Sequence, residues 1–378
     1  MKICLKLISF ILIIFQGFIC LNISSGAVSV SAKGYCLINA DTFEVLAGEN
    51  IHKKLPMAST TKIMTSLILA EYGDLEREVT VTEQMVTIEG SSMGLLAGDK
   101  VSYYELLVGM LLPSGNDAAN SVAILVAGSV EKFVEMMNQK AHKIGMDNTN
   151  FVTPSGLDSD EHYSTAYDMA LLAAYALKND TIREIVSKQS IAVSFGNPPY
   201  QRTQYNHNKL LSQYDKCIGV KTGFTKKSGR CLVTAASDNG CTVVAVTLNA
   251  PNDWNDHKKL LEFGLGEVSA RDVTDNVNRN ISVVGGIKDS VSVSTARFMC
   301  GLSNASSTSV TSKVYIKPFV YAPISAGQSV GTVEYYYNGR IIKSTDIIAL
   351  ESVGAKVYKP SFKQRFYNSL KLFFKLFI

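Results

Sequence analysis

Three short motifs follow one another along this chain: Ser59-Thr60-Thr61-Lys62, Ser114-Gly115-Asn116 and Lys221-Thr222-Gly223. No other feature constrains the fold as much, because chemistry that uses all three must bring distant segments onto one serine. A serine hydroxyl is a poor nucleophile until a base takes its proton. Lys62 follows Ser59 by one helical turn, so the two side chains share a face. For Lys62 to accept a proton, burial or a neighbouring cation must depress its pKa, and Lys221 supplies such a cation. At a helix N-terminus, Ser59 would meet free N–H groups and a dipole that favour developing negative charge.

Each motif has a plainer reading by itself. Ser59 is then a helix N-cap, Ser114-Gly115-Asn116 is turn chemistry after proline, and Lys221 is an exposed loop lysine. A second Ser-x-x-Lys, Ser129-Val130-Glu131-Lys132, is not followed by both other motifs. Only the ordered conjunction at Ser59 specifies an acyl-enzyme serine site with lysine as base. Ser114 and Asn116 would then hydrogen-bond the serine, the lysines and a substrate amide. Gly223 has no side chain to hold off a substrate backbone. Lys221 and Thr222 suit a carboxylate, one by charge and the other by its hydroxyl.

The flanks of the chain are distinct from its body. Lys2 and Lys6 precede an apolar run from Leu7 to Leu21, and Ser25-Gly26-Ala27 and Val30-Ser31-Ala32 are candidate cleavage sites. The run is shorter than the ~20 residues a spanning helix needs, so residues 1–32 read as a secretory signal peptide. Cys20 lacks the preceding small residues of a lipoprotein anchor. At the other end Phe362, Phe366, Leu370, Phe373 and Phe377 recur at helical spacing, with Lys363, Arg365, Lys371 and Lys375 among them. Residues 357–378 therefore read as a basic amphipathic helix lying on a membrane surface.

Between these flanks, residues 33–268 mix helical and strand patterns. Gly34 to Leu46 reads as a hairpin, and Ser59 to Tyr72, Leu106 to Leu112, Asp117 to Val126, Glu131 to Ile144 and Thr165 to Leu177 read as helices. Asp238-Asn239-Gly240 joins two strands as a tight turn. Residues 269–356, where short Val, Ile and Tyr runs alternate with Gly, Ser and Asn, read as a small all-β domain.

With 37 Lys+Arg against 33 Asp+Glu and no basic stripe in the body, no nucleic-acid partner is expected. The five cysteines after the signal, Cys36, Cys217, Cys231, Cys241 and Cys300, fit no zinc spacing, and the histidines are scattered, so neither metal nor cofactor is expected. Most of these cysteines read as small buried hydrophobes.

Longer stretches around the motifs carry a resemblance. Pro56 to Thr65, Leu112 to Ala119, Gly219 to Thr225, and His162-Tyr163-Ser164-Thr165-Ala166 with Asp168 resemble the low-molecular-mass penicillin-binding proteins, the serine-type D-alanyl-D-alanine carboxypeptidases. The resemblance implies a β-lactamase/transpeptidase-like catalytic domain, an antiparallel sheet flanked by helices. A β-rich domain and an amphipathic tail would follow it. By the same resemblance, Ser59 attacks the carbonyl between the two terminal D-alanines of a peptidoglycan stem peptide and Lys62 takes its proton. Ser114 and Lys221 protonate the leaving D-alanine, and the N–H groups of Ser59 and Phe224 hold the oxyanion. β-Lactam antibiotics would acylate the same serine, and the protein would act outside the cytoplasm, peripherally attached to the outer face of the cytoplasmic membrane.

One departure bears on specificity. Some members of the family use an arginine beyond the Lys-Thr-Gly strand for the terminal carboxylate, but none lies between Arg230 and Arg271. Carboxylate binding is then expected to fall to Thr222, Thr225 and Lys221. A class A β-lactamase needs a deacylating glutamate where this chain has none between Glu135 and Glu161. An endopeptidase or a low-turnover penicillin-binding regulator fits the same motifs. Gly90-Ser91-Ser92-Met93-Gly94 matches the esterase pattern Gly-x-Ser-x-Gly, but Gly98-Asp99 interrupts the helix that pattern requires.

Overall fold

The computed structural model describes residues 28–357 and 361–377. Residues 1–27, most of the expected signal peptide, lie outside the described residues. The chain forms two compact units. One holds the described residues up to Ser269 together with Gly301–Ala305; the other holds Ala270–Cys300 and the described residues from Ser306 onward.

The first unit is built on a five-stranded sheet of order β2-β1-β9-β8-β7, comprising β1 (Gly34–Asn39), β2 (Val45–Glu49), β7 (Cys217–Thr225), β8 (Gly229–Asp238) and β9 (Cys241–Leu248). The ladders of β1 on β2 and β9, and of β8 on β7 and β9, are antiparallel. Asn239 and Gly240 close the β8–β9 hairpin with φ of 48° and 79°, the left-handed pair such a turn demands. The middle strands are buried on consecutive residues, so both sheet faces are covered. Leu37 meets Gly264 of α7 (Asp253–Gly266), while its neighbour Cys36 feels the charge of Asp168 on α5 (Ala166–Ala176). Adjacent strand residues point to opposite faces, so these helices lie on opposite sides of the sheet.

β7 is an edge strand, and against it lies the 3-10 turn Ala58–Thr61 that leads into α1 (Lys62–Tyr72), which is packed among α2 (Tyr103–Leu111), α3 (Asn116–Ala127), α4 (Val130–Ile144) and α5. Lys62, Ile63, Met64, Thr65, Ser66, Leu67, Ile68 and Leu69 are all buried. A helix covered on every side belongs in a core, and Lys62 is carried into that core with it. The expected helix from Ser59 instead begins as a 3-10 turn over Ala58–Thr61, because Ala58 takes a left-handed φ of 48° and tightens the turn. Ser129 caps α4 by accepting from Lys132 N at 3.3 Å, so the second Ser-x-x-Lys is a helix start. Gly90 to Gly94 lies in a loop with no strand leading into it, which removes the esterase elbow. A smaller sheet, β3-β4-β5-β6, gathers Glu78–Thr80, Lys100–Ser102, Ser190–Gly196 and Pro199–Tyr205. Cys36, Cys217, Cys231, Cys241 and Cys300 are all buried, as expected of small hydrophobes.

The second unit contains a six-stranded sheet of β10 (Arg279–Val284), β11 (Ser290–Thr295), β12 (Thr311–Ile316), β13 (Phe319–Tyr321), β14 (Ser329–Tyr337) and β15 (Arg340–Ala349), in the order β12-β14-β15-β11-β10-β13. Val291, Val293, Val330, Val333, Tyr335 and Ile347 form its interior. The final helix, α8 (Phe362–Phe377), exposes Phe362, Phe366, Tyr367 and Leu370.

His257 of α7 is fully buried between Thr234 Oγ1 at 2.6 Å and Thr247 Oγ1 at 2.8 Å, and burial pushes its pKa from the usual 6.5 down to about 3. The unfolded chain therefore binds a proton near pH 6.5 that the folded chain refuses until about pH 3. This contribution to stability is complete above pH 6.5 and declines as the pH falls. We expect the unfolding temperature to drop between pH 6.5 and 4 and His257→Gln, less stable at neutral pH, to show a shallower drop. Equal slopes in thermal scans of the two proteins would refute the assignment.

Candidate active site

The 3-10 turn, the α2–α3 loop and the edge strand β7 converge on a cleft of about 310 Å³ lined by Ser59, Ser114, Thr222, Gly223 and Phe224. Strand and turn touch closely: a Cβ on Gly223 would lie 3.1 Å from both Ser59 N and Thr60 N. Glycine gives that approach the room it needs, since any side chain would force the turn to shift by a few tenths of an ångström. Ser59 lies inside that turn, whose N-cap is Met57, so its hydroxyl is left for other partners.

Lys62 lies under the serine. Its Nζ is 2.9 Å from Ser59 Oγ, 2.7 Å from Asn116 Oδ1 and 2.8 Å from the Ser155 carbonyl. The orientation of the Asn116 amide is fixed, because its Nδ2 donates to the Glu89 carbonyl at 2.7 Å. Two of these neighbours accept only, whereas the hydroxyl also donates. A neutral amine has two N–H groups and one lone pair, so it gives its hydrogens to the two carbonyl-type oxygens and keeps the lone pair for the serine hydrogen. Burial, then the neighbouring Lys221 charge, holds the Lys62 pKa well below its ordinary 10.5, with Asp117 opposing. Lys221 is itself buried, and burial alone brings its pKa to about 7.

Ser114 completes the far wall. Its φ of 66° is unusual for a residue with a side chain, and its buried Oγ has no hydrogen-bond partner among the described residues. A buried hydroxyl without a partner costs about 1–3 kcal/mol, so one facing a cleft is suited to a ligand. Asp117, the residue after the Ser-Gly-Asn motif, braces this wall. Its two oxygens accept from the N–H groups of Met93, Gly94 and Leu95 and from the Ser92 hydroxyl. The loop bearing Ser91, a further lining residue, is thereby tied to α3.

The opposite wall is held by Gly156 and His162. Gly156 has φ of 87°, and a Cβ there would come within 2.0 Å of the Ala58 carbonyl oxygen. His162 Nδ1 accepts from Val152 N at 2.9 Å, so Nε2 carries the hydrogen toward Thr61 Oγ1 at 2.8 Å. Burial keeps this ring neutral, with its pKa lowered to about 4. Asp168 Oδ2 accepts from Asn148 N and from the Thr149 hydroxyl, which makes it a strut for the adjoining loop.

Ser59, Lys62, Ser114, Asn116, Lys221, Thr222, Gly223 and Phe224 thus gather at or directly beneath the cleft. Thr225 does not join them, because its hydroxyl donates to Asp158 Oδ1 at 2.8 Å and lies 3.0 Å from Ser228 Oγ. Arg230, Asp253, Trp254 and His207 line the cleft and have no role in any of the three motifs. The β7–β8 hairpin register pairs Thr225 with Gly229, which puts Arg230 opposite Phe224. Counting back from that turn was the signal that would have found the arginine.

The family described as D-alanyl-D-alanine carboxypeptidase, peptidase S11, matches residues 22–252, and the penicillin-binding protein 5 C-terminal domain matches residues 273–355. The chain is 33% identical over 361 residues to D-alanyl-D-alanine carboxypeptidase DacC of Escherichia coli, covering 86% of this chain and 85% of that one. It is 30% identical over 334 residues to DacF of Bacillus subtilis, covering 85% of this chain and 86% of that one. Penicillin-binding protein 5 of Haemophilus influenzae superposes with a TM-score of 0.62 at 27% identity, over 86% of this chain and 98% of that one. The Streptomyces K15 DD-transpeptidase superposes with a TM-score of 0.60 at 32% identity, over 63% of this chain and 98% of that one. On its motifs, its cleft and these likenesses, the chain belongs to the S11 peptidases, the D-alanyl-D-alanine carboxypeptidase family.

Proposed function

We propose that this chain removes the terminal D-alanine from peptidoglycan stem peptides through an acyl-enzyme on Ser59. The observation that carries this reading is the environment of Lys62, whose three neighbours at Nζ match the two hydrogens and one lone pair of a neutral amine. Ser59 Oγ attacks the penultimate carbonyl as its proton passes to Lys62. The N–H groups of Ser59 and Phe224 receive the oxyanion; one such donor is typically worth ~100–1000-fold in rate. Collapse breaks the peptide bond, and the leaving amine takes a proton through Ser114 and the two lysines. Water then attacks the ester, Lys62 again takes the proton, and Ser59 regains its hydrogen. β7 presents an unpaired strand edge along which an extended peptide fits as a further strand. A β-lactam offers the same serine a strained amide in place of the peptide bond.

Defined muropeptides with the exported protein test this directly. A pentapeptide stem will lose one D-alanine by mass, and Ser59→Ala will abolish the loss together with penicillin labelling. Cleavage of crosslinked dimers with pentapeptides untouched would make the protein an endopeptidase. Penicillin uptake with neither product would make it a low-turnover binder.

The lysine pair also sets a pH dependence. Acylation needs Lys62 neutral and Lys221 charged, so its rate rises as Lys62 loses its proton and falls as Lys221 does, near pH 7. The rate of acylation by benzylpenicillin against pH will be bell-shaped. Lys221→Arg, whose guanidinium does not titrate, will lose the alkaline limb. An alkaline limb that survives in this variant would remove Lys221 from the role.

The localisation reading has two anchors. Ser31 N and Oγ donate to Asp256 Oδ2 at 2.9 and 2.6 Å, and Asn252 N donates to Ser31 Oγ at 3.0 Å. Signal cleavage after Ala27 keeps this anchor, whereas cleavage after Ala32 removes it. α8 presents exposed Phe362, Phe366 and Leu370 beside Lys363 and Arg365, and no helix among the described residues is long and apolar enough to cross a membrane. Interfacial attachment by this helix then holds the protein at the outer membrane face. The exported protein will begin at Val28, and deleting residues 359–378 will move it from the membrane to the soluble fraction. Retention of the truncated protein in membranes would overturn the anchor.

A further inference from the structure

Of the described residues lining the cleft, Arg230 is the one with a permanent positive charge, and the chemistry at Ser59 leaves it unused. Register places it within reach of Thr222. Thr222 pairs with Leu232 across the β7–β8 ladder, so Arg230 is the diagonal neighbour of Thr222, at a Cβ separation of about 7–8 Å or slightly less. The guanidinium is held from behind. Nε and an Nη of Arg230 both donate to Asp253 Oδ1, at 2.9 and 2.8 Å, and the group lies 5.3 Å from the Trp254 ring centre. The Asp253 side chain is only 4% exposed, and its Oδ1 also accepts from Trp254 N at 2.9 Å. The carboxylate is thus largely covered where it lines the cleft, whereas the arginine side chain is 41% exposed. Two of its five N–H groups are engaged, which leaves three in a fixed plane at the cleft.

Two of the three expected carboxylate ligands, Thr225 and Lys221, are poorly placed by comparison. The Thr225 hydroxyl is held by Asp158, and Lys221 is 1% exposed with Nζ turned to the Thr222 carbonyl at 3.2 Å. A peptidase that removes a terminal residue has to tell a free carboxylate from a continuing amide, and a planar fork is the side chain suited to that distinction.

We propose that Arg230 and the Thr222 hydroxyl bind the free C-terminal carboxylate of the substrate, with Asp253 and Trp254 positioning the guanidinium. This assignment rests on reading the cleft as the peptidase site. It makes Arg230 the residue that selects chain ends. A β-lactam carries the same carboxylate chemistry on its ring.

The test compares an acylated Lys-D-Ala-D-Ala peptide with its C-terminal carboxamide. The wild type will prefer the acid, and Arg230→Ala will lower kcat/KM for the acid by about 10–100-fold while changing the amide little. Arg230→Lys will recover part of the loss. Benzylpenicillin against its methyl ester reads the same preference for the β-lactam source. An acid-to-amide ratio that is the same in wild type and Arg230→Ala overturns the proposal, provided the variant still takes up penicillin. Binding is read separately in Ser59→Ala, where Trp254, the chain's single tryptophan, reports from the cleft by fluorescence. Equal affinity for acid and amide there overturns the proposal even if Arg230→Ala does not fold. A wild type that binds the acid selectively and hydrolyses neither peptide would sink the carboxypeptidase reading and leave the carboxylate site standing.

Discussion

The arrangement depends on keeping a lysine amine out of water. Desolvation disfavours the ammonium form and is the larger of the influences on Lys62, ahead of the Lys221 charge. That desolvation comes from the packing of α1, whose first two turns are buried on every face among other helices. A helix with a polar face toward solvent would leave the amine charged. The apolar residues from Ile63 to Leu69 therefore act on the chemistry through the dielectric they create. The same logic explains Asn116 and the Ser155 carbonyl, which satisfy the two hydrogens of a neutral amine that burial would otherwise leave unpaired.

Backbone strain gathers around this lysine. Ala58 and Ser114, on either side of the cleft, hold left-handed φ values of 48° and 66°. Each such residue costs roughly 1–3 kcal/mol unless its surroundings impose it. Here they do. Ala58 is fixed by Gly156 against its carbonyl and by the Thr61 hydroxyl donating to the same oxygen at 2.8 Å. Ser114 is followed by Gly115 N donating to the Gly109 carbonyl at 2.8 Å and by the Asp117 bracket around residues 92–95. Asp117 and His162 touch no cleft atom directly, yet they hold the segments that carry Ser114 and the turn around Ser59.

The sequence made local chemistry legible and left register hidden. Ser59, Lys62, Ser114, Asn116 and Lys221 were readable because each sits in a short motif whose spacing follows from one helical turn, one loop or one strand edge. The helices from Leu106, Asp117 and Glu131 were readable by period, and the Asn239-Gly240 turn by its demand for positive φ. The start of α1 was misplaced by one 3-10 turn, because the left-handed Ala58 is imposed by Gly156, almost a hundred residues away in sequence. Thr225 was expected to share the carboxylate in place of an arginine, but its hydroxyl donates to Asp158 and lies against Ser228 in the hairpin turn. The Ser155 carbonyl had no sequence signature at all, since any residue supplies one.

Arg230 shows how two strands share one specificity site. An arginine sought after the last sheet strand is absent there, but a β-ladder makes residues on facing strands neighbours whatever their order in the chain. Arg230, on the strand after the Lys-Thr-Gly motif, therefore approaches Thr222 from the side. The segment after β9 still contributes, by supplying Asp253 and Trp254 to fix the guanidinium rather than supplying the guanidinium itself. A fork that is already held loses little side-chain freedom when it meets a carboxylate. Asp253 also lines the cleft, but its side chain is only 4% exposed and its Oδ1 is already engaged by Arg230 and Trp254 N, so it holds the arginine in place.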